Sequence, residues 1–371
     1  MKKKSPKILI CGGGTGGHIY TAIAIADALK KRLLEIGHPA KFLFIGGKDR
    51  MEMEIVPKAG YDIKGFWISG LPKKLTKEAV MFPLKIISSY RDCMKIFGSF
   101  HPDVVIGTGG YVSGIPLYLA HNKKIHTFIQ EQNVTPGYTN KKAGWNYAKK
   151  IFVAHEKSLL HFPKQKTILT GNPLRSKILS PMPDRKEAYK KFNFTPERPV
   201  ILSIGGSQGA RNINNGWIKG IEKLVEQDIQ LLWQIGKNDF QKVQNDPDFQ
   251  HPNICLNKFI DDMHMAYAAA DIVVSRAGGL AISELAALGK PCILIPFSKA
   301  AQNHQTENAK YLVDKKSAIM IHDEEIQQKM VDIAICIVKN QTEKETLSKN
   351  ILTISKPYAA QDIAEEIINF L

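Results

Sequence analysis

The chain has 371 residues, 44% of them apolar and 23% charged, with 28 Gly and 19 Pro. This is an ordinary globular composition, long enough for two to three domains and outside the fibrous, disordered and low-complexity classes. Its 51 Lys and Arg against 35 Asp and Glu leave a net charge of +16, and residues 1–175 carry all of it: 28 basic and 11 acidic residues, net +17, against 23 and 24, net −1, in the remainder.

A polyanion or an anionic membrane surface would suit such a first half. The five cysteines (Cys11, Cys93, Cys255, Cys292 and Cys336) are scattered, odd in number and without a CxxC pair, so neither a disulfide framework nor a zinc site is expected, and a reducing compartment fits. The basic start runs into an apolar stretch, 8–11, that is too short for an export signal. No stretch approaches the ~18 uninterrupted apolar residues of a spanning helix. Any membrane contact is therefore expected at the surface.

In chain order, 8–11, 41–45, 104–106, 126–129, 150–154 and 167–169 read as strands of one parallel sheet, and 199–204, 230–235, 253–256, 271–275, 291–296 and 318–321 as strands of a second. Helical-period segments separate them, which is the pattern of βαβ units. The fold class is α/β: two similar doubly wound parallel-sheet domains facing a cleft, with ligands at the carboxyl ends of the strands. The boundaries expected are 1–175 for the first domain, 176–198 for a proline-rich linker, 199–350 for the second domain, and 351–371 for a terminal helix that packs back on the first.

Four strand-to-helix turns are rich in glycine. The first, Gly12-Gly-Gly-Thr-Gly-Gly-His18, formally fits GxGxxG, but the acidic residue that should close the second strand is replaced by Gly46-Gly-Lys48, so a nicotinamide site is not expected. The others are Gly107-Thr-Gly-Gly-Tyr-Val-Ser-Gly114, Gly205-Gly-Ser-Gln-Gly-Ala-Arg211 and Ser275-Arg-Ala-Gly-Gly-Leu-Ala-Ile-Ser-Glu284. Four such turns in two sheets point to anion-tolerant strand ends at helix N-termini. His18, in the first turn of a helix, would stay neutral and able to act as a base. Glu284, one turn inside its helix, is placed to accept both hydroxyls of a ribose. Gln130-Glu-Gln-Asn133, Gly171-Asn-Pro-Leu-Arg175 and Asn303-His-Gln-Thr-Glu-Asn308 add amides for sugar hydroxyls and a guanidinium for a phosphate, the chemistry of a nucleotide-sugar pocket.

Taken together and in order, Gly13-Gly-Thr-Gly-Gly-His18, Gly109-Gly-Tyr-Val-Ser-Gly114, Glu131-Gln-Asn133, Gly171-Asn-Pro173 with Arg175, Gly205-Gly-Ser-Gln-Gly-Ala-Arg211, Phe259-Ile-Asp-Asp-Met263, Ser283-Glu284 and His304-Gln305 resemble the peptidoglycan N-acetylglucosaminyltransferases. These are two-domain GT-B glycosyltransferases of family 28, and the resemblance covers about Lys7 to Leu312. It implies inverting transfer of N-acetylglucosamine from UDP to the 4-hydroxyl of undecaprenyl-diphosphate-linked N-acetylmuramoyl-pentapeptide (lipid I), giving lipid II. It implies that Ser207, Arg175 and Ile260 meet the nucleotide or its diphosphate, and that Gly279, Leu280, Ala281, Ile282, Ser283 and Glu284 hold uridine. Gln305 and Asn133 would hold the sugar, Thr15, Gly16 and Gly17 would line the junction of donor and acceptor, and Gly14, Tyr111 and Ser113 would lie on the acceptor side.

His18 is the base expected from the chemistry, with Glu131 as second candidate. No cofactor or metal is expected, since Asp261-Asp262 falls in the segment that would read uracil. The chain departs from the family pattern at Ile19-Tyr-Thr21, where a proline is usual, at Gln130, where histidine is frequent, and at Ile115, inserted before Pro116.

Residues 71–97 interleave Leu71, Leu75, Phe82, Leu84, Ile86 and Ile87 with Lys73, Lys74, Lys77 and Lys85, as suits the anionic cytoplasmic leaflet of the cell inner membrane. An ordinary amphipathic helix broken at Pro83 is the other reading. Expected partners are UDP-N-acetylglucosamine, lipid I, that membrane surface and other cell-wall synthesis proteins, but not nucleic acid, for which no RNP-like, zinc-finger or recognition-helix pattern is present. A diacylglycerol galactosyltransferase-like enzyme is the alternative within GT-B.

Overall fold

The protein is described from a computed structural model that covers residues 5–70, 77–206 and 208–371. Leu71, Lys73, Lys74, Leu75 and Ser207, and the side chain of Lys77, lie outside the described residues. The chain forms two compact units, Met1–Arg175 with Lys356–Leu371, and Ser176–Ser355.

The first unit holds β1 (Lys7–Gly12), β2 (Lys41–Gly47), β3 (Ile63–Phe66), β4 (Val104–Gly109), β5 (His126–Glu131), β6 (Lys150–Val153) and β7 (Thr167–Leu169). All pair in parallel, in the order β3-β2-β1-β4-β5-β6-β7. Winding reverses between β1 and β4, so the loops after these strands diverge and leave a crevice at their carboxyl ends. The strands are continuous apolar runs because both faces are covered. Ile8 and Ile10 face Ile19, Ile25 and Leu29 of the helix Gly16–Glu35 together with Ile363 and Ile367, while Leu9 and Cys11 face Cys93, Phe97 and Leu117. The terminal helix Ala359–Ile368 thus repeats apolar residues at helical spacing and completes this core.

The second unit holds β8 (Val200–Ile204), β9 (Gln230–Gln234), β10 (Ile254–Asn257), β11 (Ile272–Ser275), β12 (Cys292–Leu294) and β13 (Ile319–Met320), parallel in the order β10-β9-β8-β11-β12-β13. Its switch point lies between β8 and β11.

Three features differ from the sequence reading. The strand β3 was not expected: it is an edge strand of four residues, Ile-Lys-Gly-Phe, with too little alternation to register. Residues 176–198 are no free linker. They form the helices Ser176–Leu179 and Arg185–Lys191, bury Ile178, Ala188, Tyr189, Phe192 and Phe194, and belong to the second unit. Asp184 caps the second of these helices through Lys186 N–H at 2.8 Å, so the prolines flank short helices instead of marking a loose tether. The second unit also extends past 350, through the helix Gln341–Leu352.

The helix Lys77–Phe100 runs through Pro83 unbroken; losing one intrahelical bond on an exposed stretch does not end it. Its inner face carries Ile86, Ser89, Cys93 and Phe97, so Ile86 is a packing residue and not a surface anchor.

Candidate functional site

In the first unit, the loop after β1 is held from below by Glu52. Its carboxylate is buried and accepts from Gly47 N–H at 2.9 Å and from Gly14 N–H at 3.3 Å through each oxygen. A Cβ on Gly13 would lie 2.2 Å from Glu52 Oε1, which is why glycine stands there. The Gly14 amide that a phosphate would seek is therefore taken by an internal carboxylate, and this turn is not the open anion cradle its glycines suggest. Gly14 and Thr15 are exposed, Gly16, Gly17 and His18 half-buried. Thr15 makes no side-chain cap to the helix Gly16–Glu35.

The loop after β4 packs against this turn. A Cβ on Gly110 (φ 80°) would sit 2.4 Å from Gly13 O, and one on Gly109 (φ 106°) 2.5 Å from His18 Cε1, so both positions need glycine for close approach and for backbone conformation. The His18 ring thus lies on the Gly109 backbone. Its Nδ1 is 2.7 Å from Thr108 O and 3.0 Å from the Gln132 amide, and Thr108 Oγ1 donates to His18 O at 2.9 Å. Tyr111 lies beside Gly14, within 3.5 Å of where a Cβ would be. Ser113 is fully buried and donates to Gly110 O at 2.8 Å, a loop-closing hydroxyl that does not face an acceptor.

Glu131, the second candidate base, is a structural residue. Fully buried at the end of β5, it accepts from Asn133 N–H (3.0 Å), Asn133 Nδ2 (3.1 Å), Gly137 N–H (3.2 Å) and Asn140 Nδ2 (2.9 Å). Burial raises its pKa while those four donors pull it down. Both oxygens are occupied in holding the β5 loop, and neither is presented to a substrate. The Asn133 amide, expected to hold the sugar, gives its Nδ2 to the same carboxylate. The layer continues through Gln130 Nε2 to Asn172 Oδ1 (2.7 Å) and Asn172 Nδ2 to Gln132 O (3.0 Å), and His155 beneath it is driven to a pKa of about 4 by burial. Arg175 stacks its guanidinium 4.5 Å over the Tyr20 ring, on the helix that begins at Gly16.

In the second unit the turn after β8 opens the helix Arg211–Glu226. Gly206 (φ 84°) has open space where a Cβ would go, whereas a Cβ on Gly209 (φ 81°) would meet Ile235 O at 2.1 Å. Gln234, which the sequence reading passed over, ties this turn to the next segment: its Nε2 donates to Gly206 O (3.0 Å) and its Oε1 accepts from Ile260 N–H (2.9 Å). Ile260 is buried and its N–H is therefore spent inside the protein. The helix Gly279–Ala287 follows β11. Gly279, Leu280 and Ile282 are buried, Ala281 and Ser283 are half-buried, and Ser283 Oγ donates to Gly279 O (3.0 Å). Glu284 is buried and accepts from Tyr267 OH at 3.1 Å. Gln305 Oε1 accepts from Phe297 N–H at 2.9 Å, which aims its amide from the helix His304–Asp314 toward the end of β12.

Arg276 is a second residue the sequence reading missed. It reaches Asp323 (2.6 Å), Ile295 O (3.1 Å) and Pro296 O (3.2 Å), and so binds the loops after β11, β12 and β13 together. The signal was a charged residue inside an otherwise apolar glycine turn. Among the described residues no group of three or more His, Cys, Asp or Glu side chains converges as for a metal ion, and no helix is long and apolar enough to cross a membrane.

Two doubly wound units whose glycine turns gather at the carboxyl ends of the strands are the architecture of nucleotide-sugar transferases, and residues 8–153 and 200–367 match the N-terminal and C-terminal domain models of glycosyltransferase family 28. The chain belongs to that family and is a glycosyltransferase. It is 45% identical, over 98% of both chains, to the UDP-N-acetylglucosamine–N-acetylmuramyl-(pentapeptide) pyrophosphoryl-undecaprenol N-acetylglucosamine transferase of Flavobacterium psychrophilum. The Cytophaga hutchinsonii enzyme of the same name is 42% identical over 100% of this chain and 98% of its own. In fold it is similar to Acinetobacter baumannii MurG, at a TM-score of 0.71 and 24% identity over 99% of this chain and 100% of that one.

Proposed function

We propose that this chain transfers N-acetylglucosamine from UDP-N-acetylglucosamine to the 4-hydroxyl of lipid I, releasing UDP and forming lipid II with inversion at the anomeric carbon. The observation that carries this reading is the 45% identity to the Flavobacterium psychrophilum transferase over 98% of both chains. The purified protein, given UDP-N-acetylglucosamine and a lipid I analogue, releases UDP; silence under conditions where that relative turns over sinks the reading. Competition by UDP-galactose in the same assay separates it from a galactosyltransferase.

Inversion requires the acceptor oxygen to attack C1 from the face opposite UDP while a base takes its proton. His18 is that base. Arg175 and the N-terminal end of the helix Arg211–Glu226 offset charge on the departing diphosphate without a metal. Glu284 receives the ribose hydroxyls, with Tyr267 fixing its second oxygen, and Gln305 and Asn133 address the sugar. Gly279, Leu280, Ala281, Ile282 and Ser283 contribute backbone to the uridine site, and Ser207 a hydroxyl to the diphosphate. Thr15, Gly16 and Gly17 line the reaction centre, and Gly14 and Tyr111 take the acceptor side.

The enzyme works as a peripheral protein on the cytoplasmic leaflet. The outward face of the helix Lys77–Phe100 supports this: Val80, Leu84, Ile87, Tyr90 and Met94 recur at helical spacing and are all exposed, among Lys85, Arg91 and Lys95. Apolar anchors with flanking lysines bind anionic bilayers in a salt-dependent way, each basic residue contributing ~1 kcal/mol. Sedimentation with vesicles containing phosphatidylglycerol, weakened by salt and absent for neutral vesicles, tests it.

A further inference from the structure

The contacts of His18 define a second residue in the proton transfer, and this inference rests on His18 being the base. Nδ1 faces two groups at once, Thr108 O at 2.7 Å and the Gln132 amide at 3.0 Å. A backbone carbonyl can only accept, so at 2.7 Å the proton sits on Nδ1. A protonated nitrogen cannot also receive an N–H, so Gln132 presents its oxygen, the two ends of an amide being interchangeable in position. In the opposite placement two N–H donors would face each other at 3.0 Å. The backbone holds the ring in this one place: Gly109 lies flat against Cε1, and Thr108 Oγ1 clamps His18 O.

We infer that Gln132, with the Thr108 carbonyl, is a positioning residue that fixes the tautomer of His18 with its proton on Nδ1 and its lone pair on Nε2. Nε2 then takes the acceptor proton as the new glycosidic bond forms and the bond to UDP breaks, while the Nδ1 proton stays shared between two oxygens that stabilise the imidazolium. This is a role carried by a neutral amide and a main-chain oxygen, where a carboxylate would raise the basicity of the resting histidine and charge it too early. The ionisable groups on the surrounding elements are Glu52 beneath the Gly13-Gly14 turn, Tyr111 beside Gly14, Glu131 and His155 in the β5 layer, and Arg175 stacked on Tyr20. All of them are retained in the variants that test the idea.

The test is the pH dependence of kcat/KM in Gln132→Leu and Gln132→Glu, with melting temperatures measured alongside. Gln132→Leu lowers kcat by roughly 10- to 100-fold, leaves the KM for UDP-N-acetylglucosamine within about twofold, and moves the acid limb to lower pH. Gln132→Glu, nearly isosteric and folded even if the leucine variant is not, moves that limb up by about one pH unit or more. A residue that merely packs would lower activity in both variants without shifting the limb in opposite directions, and an unmoved limb in both overturns the inference. His18→Gln separates the two levels of argument: near-normal turnover there refutes His18 as base, whereas an inactive His18→Gln beside unmoved Gln132 limbs refutes only the role of Gln132.

Discussion

Replacing Glu52 by glutamine should damage the glycine turn that carries Gly14 to His18 while changing almost no volume. The carboxylate takes Gly47 N–H at 2.9 Å and Gly14 N–H at 3.3 Å on both oxygens. In the amide, one of the two oxygens becomes an NH2 group, and whichever way it turns a donor faces a backbone donor. Hydrogen bonds to a charged group contribute about 1.5–3 kcal/mol and neutral ones about 0.5–1.5. With the remaining oxygen in the place of Oε1 both bonds survive as neutral ones, and weakening the two comes to roughly 2–3 kcal/mol. For a unit of this size each kcal/mol is worth about 2–4 °C, so differential scanning calorimetry should show the first unit melting roughly 4–12 °C lower. The turn is also the platform for His18, so kcat and the acceptor KM should worsen while the KM for UDP-N-acetylglucosamine changes little. Gly13→Ala, whose Cβ would sit 2.2 Å from Glu52 Oε1, should reproduce both effects from the other side of the contact. A Glu52→Gln protein that melts and turns over like the parent would refute the clamp.

The remaining predictions concern the second unit and the surface. Asp323→Asn leaves the Arg276 guanidinium partly unpaired where both side chains are largely buried, at 14% and 6% exposure; a loss of about 3 kcal/mol or more in urea unfolding and a raised donor KM are expected, and an unchanged donor KM would detach this pair from the site. The carboxyl of Asp262 is held at a pKa of about 2, first by Lys191 and, against the opposing effect of burial, by Lys177 and Met265 N–H. A depressed carboxylate stabilises the fold above its unfolded pKa of ~3.9 and loses that contribution as the pH falls through about 2. The melting-temperature gap between parent and Asp262→Asn should be constant above pH 5 and close toward pH 2; because the lysines are well exposed, the gap should correspond to no more than ~1 kcal/mol. Leu84→Asp with Ile87→Asp should abolish vesicle binding without changing melting or turnover of a soluble acceptor analogue, and retained binding would locate the membrane contact elsewhere.

What was legible in the sequence follows from which partners are local. β1, β4, β8 and β11 are apolar runs followed by glycines, and a parallel sheet covered on both faces imposes that pattern on any chain, so these strands could be read directly. β3 offers only Ile-Lys-Gly-Phe at an edge, and the short helices within 176–198 are masked by the prolines that flank them. The site residues divide in the same way. Glu131 could have been recognised as structural, because three of its four donors, on Asn133 and Gly137, lie within six residues and the fourth, Asn140, within nine. Glu52 could not, since it bonds main-chain N–H groups, one of them 38 residues away, and backbone carries no sequence signal. Gln132 reaches His18 across 114 positions and Arg276 reaches Asp323 across 47. Motif resemblance picks out residues whose chemistry is distinctive; those that hold them in place are ordinary amides and carboxylates, selected by geometry. That is why the histidine stands out from its turn, while its contact with the Gln132 amide became visible only once β5 had been laid beside β4.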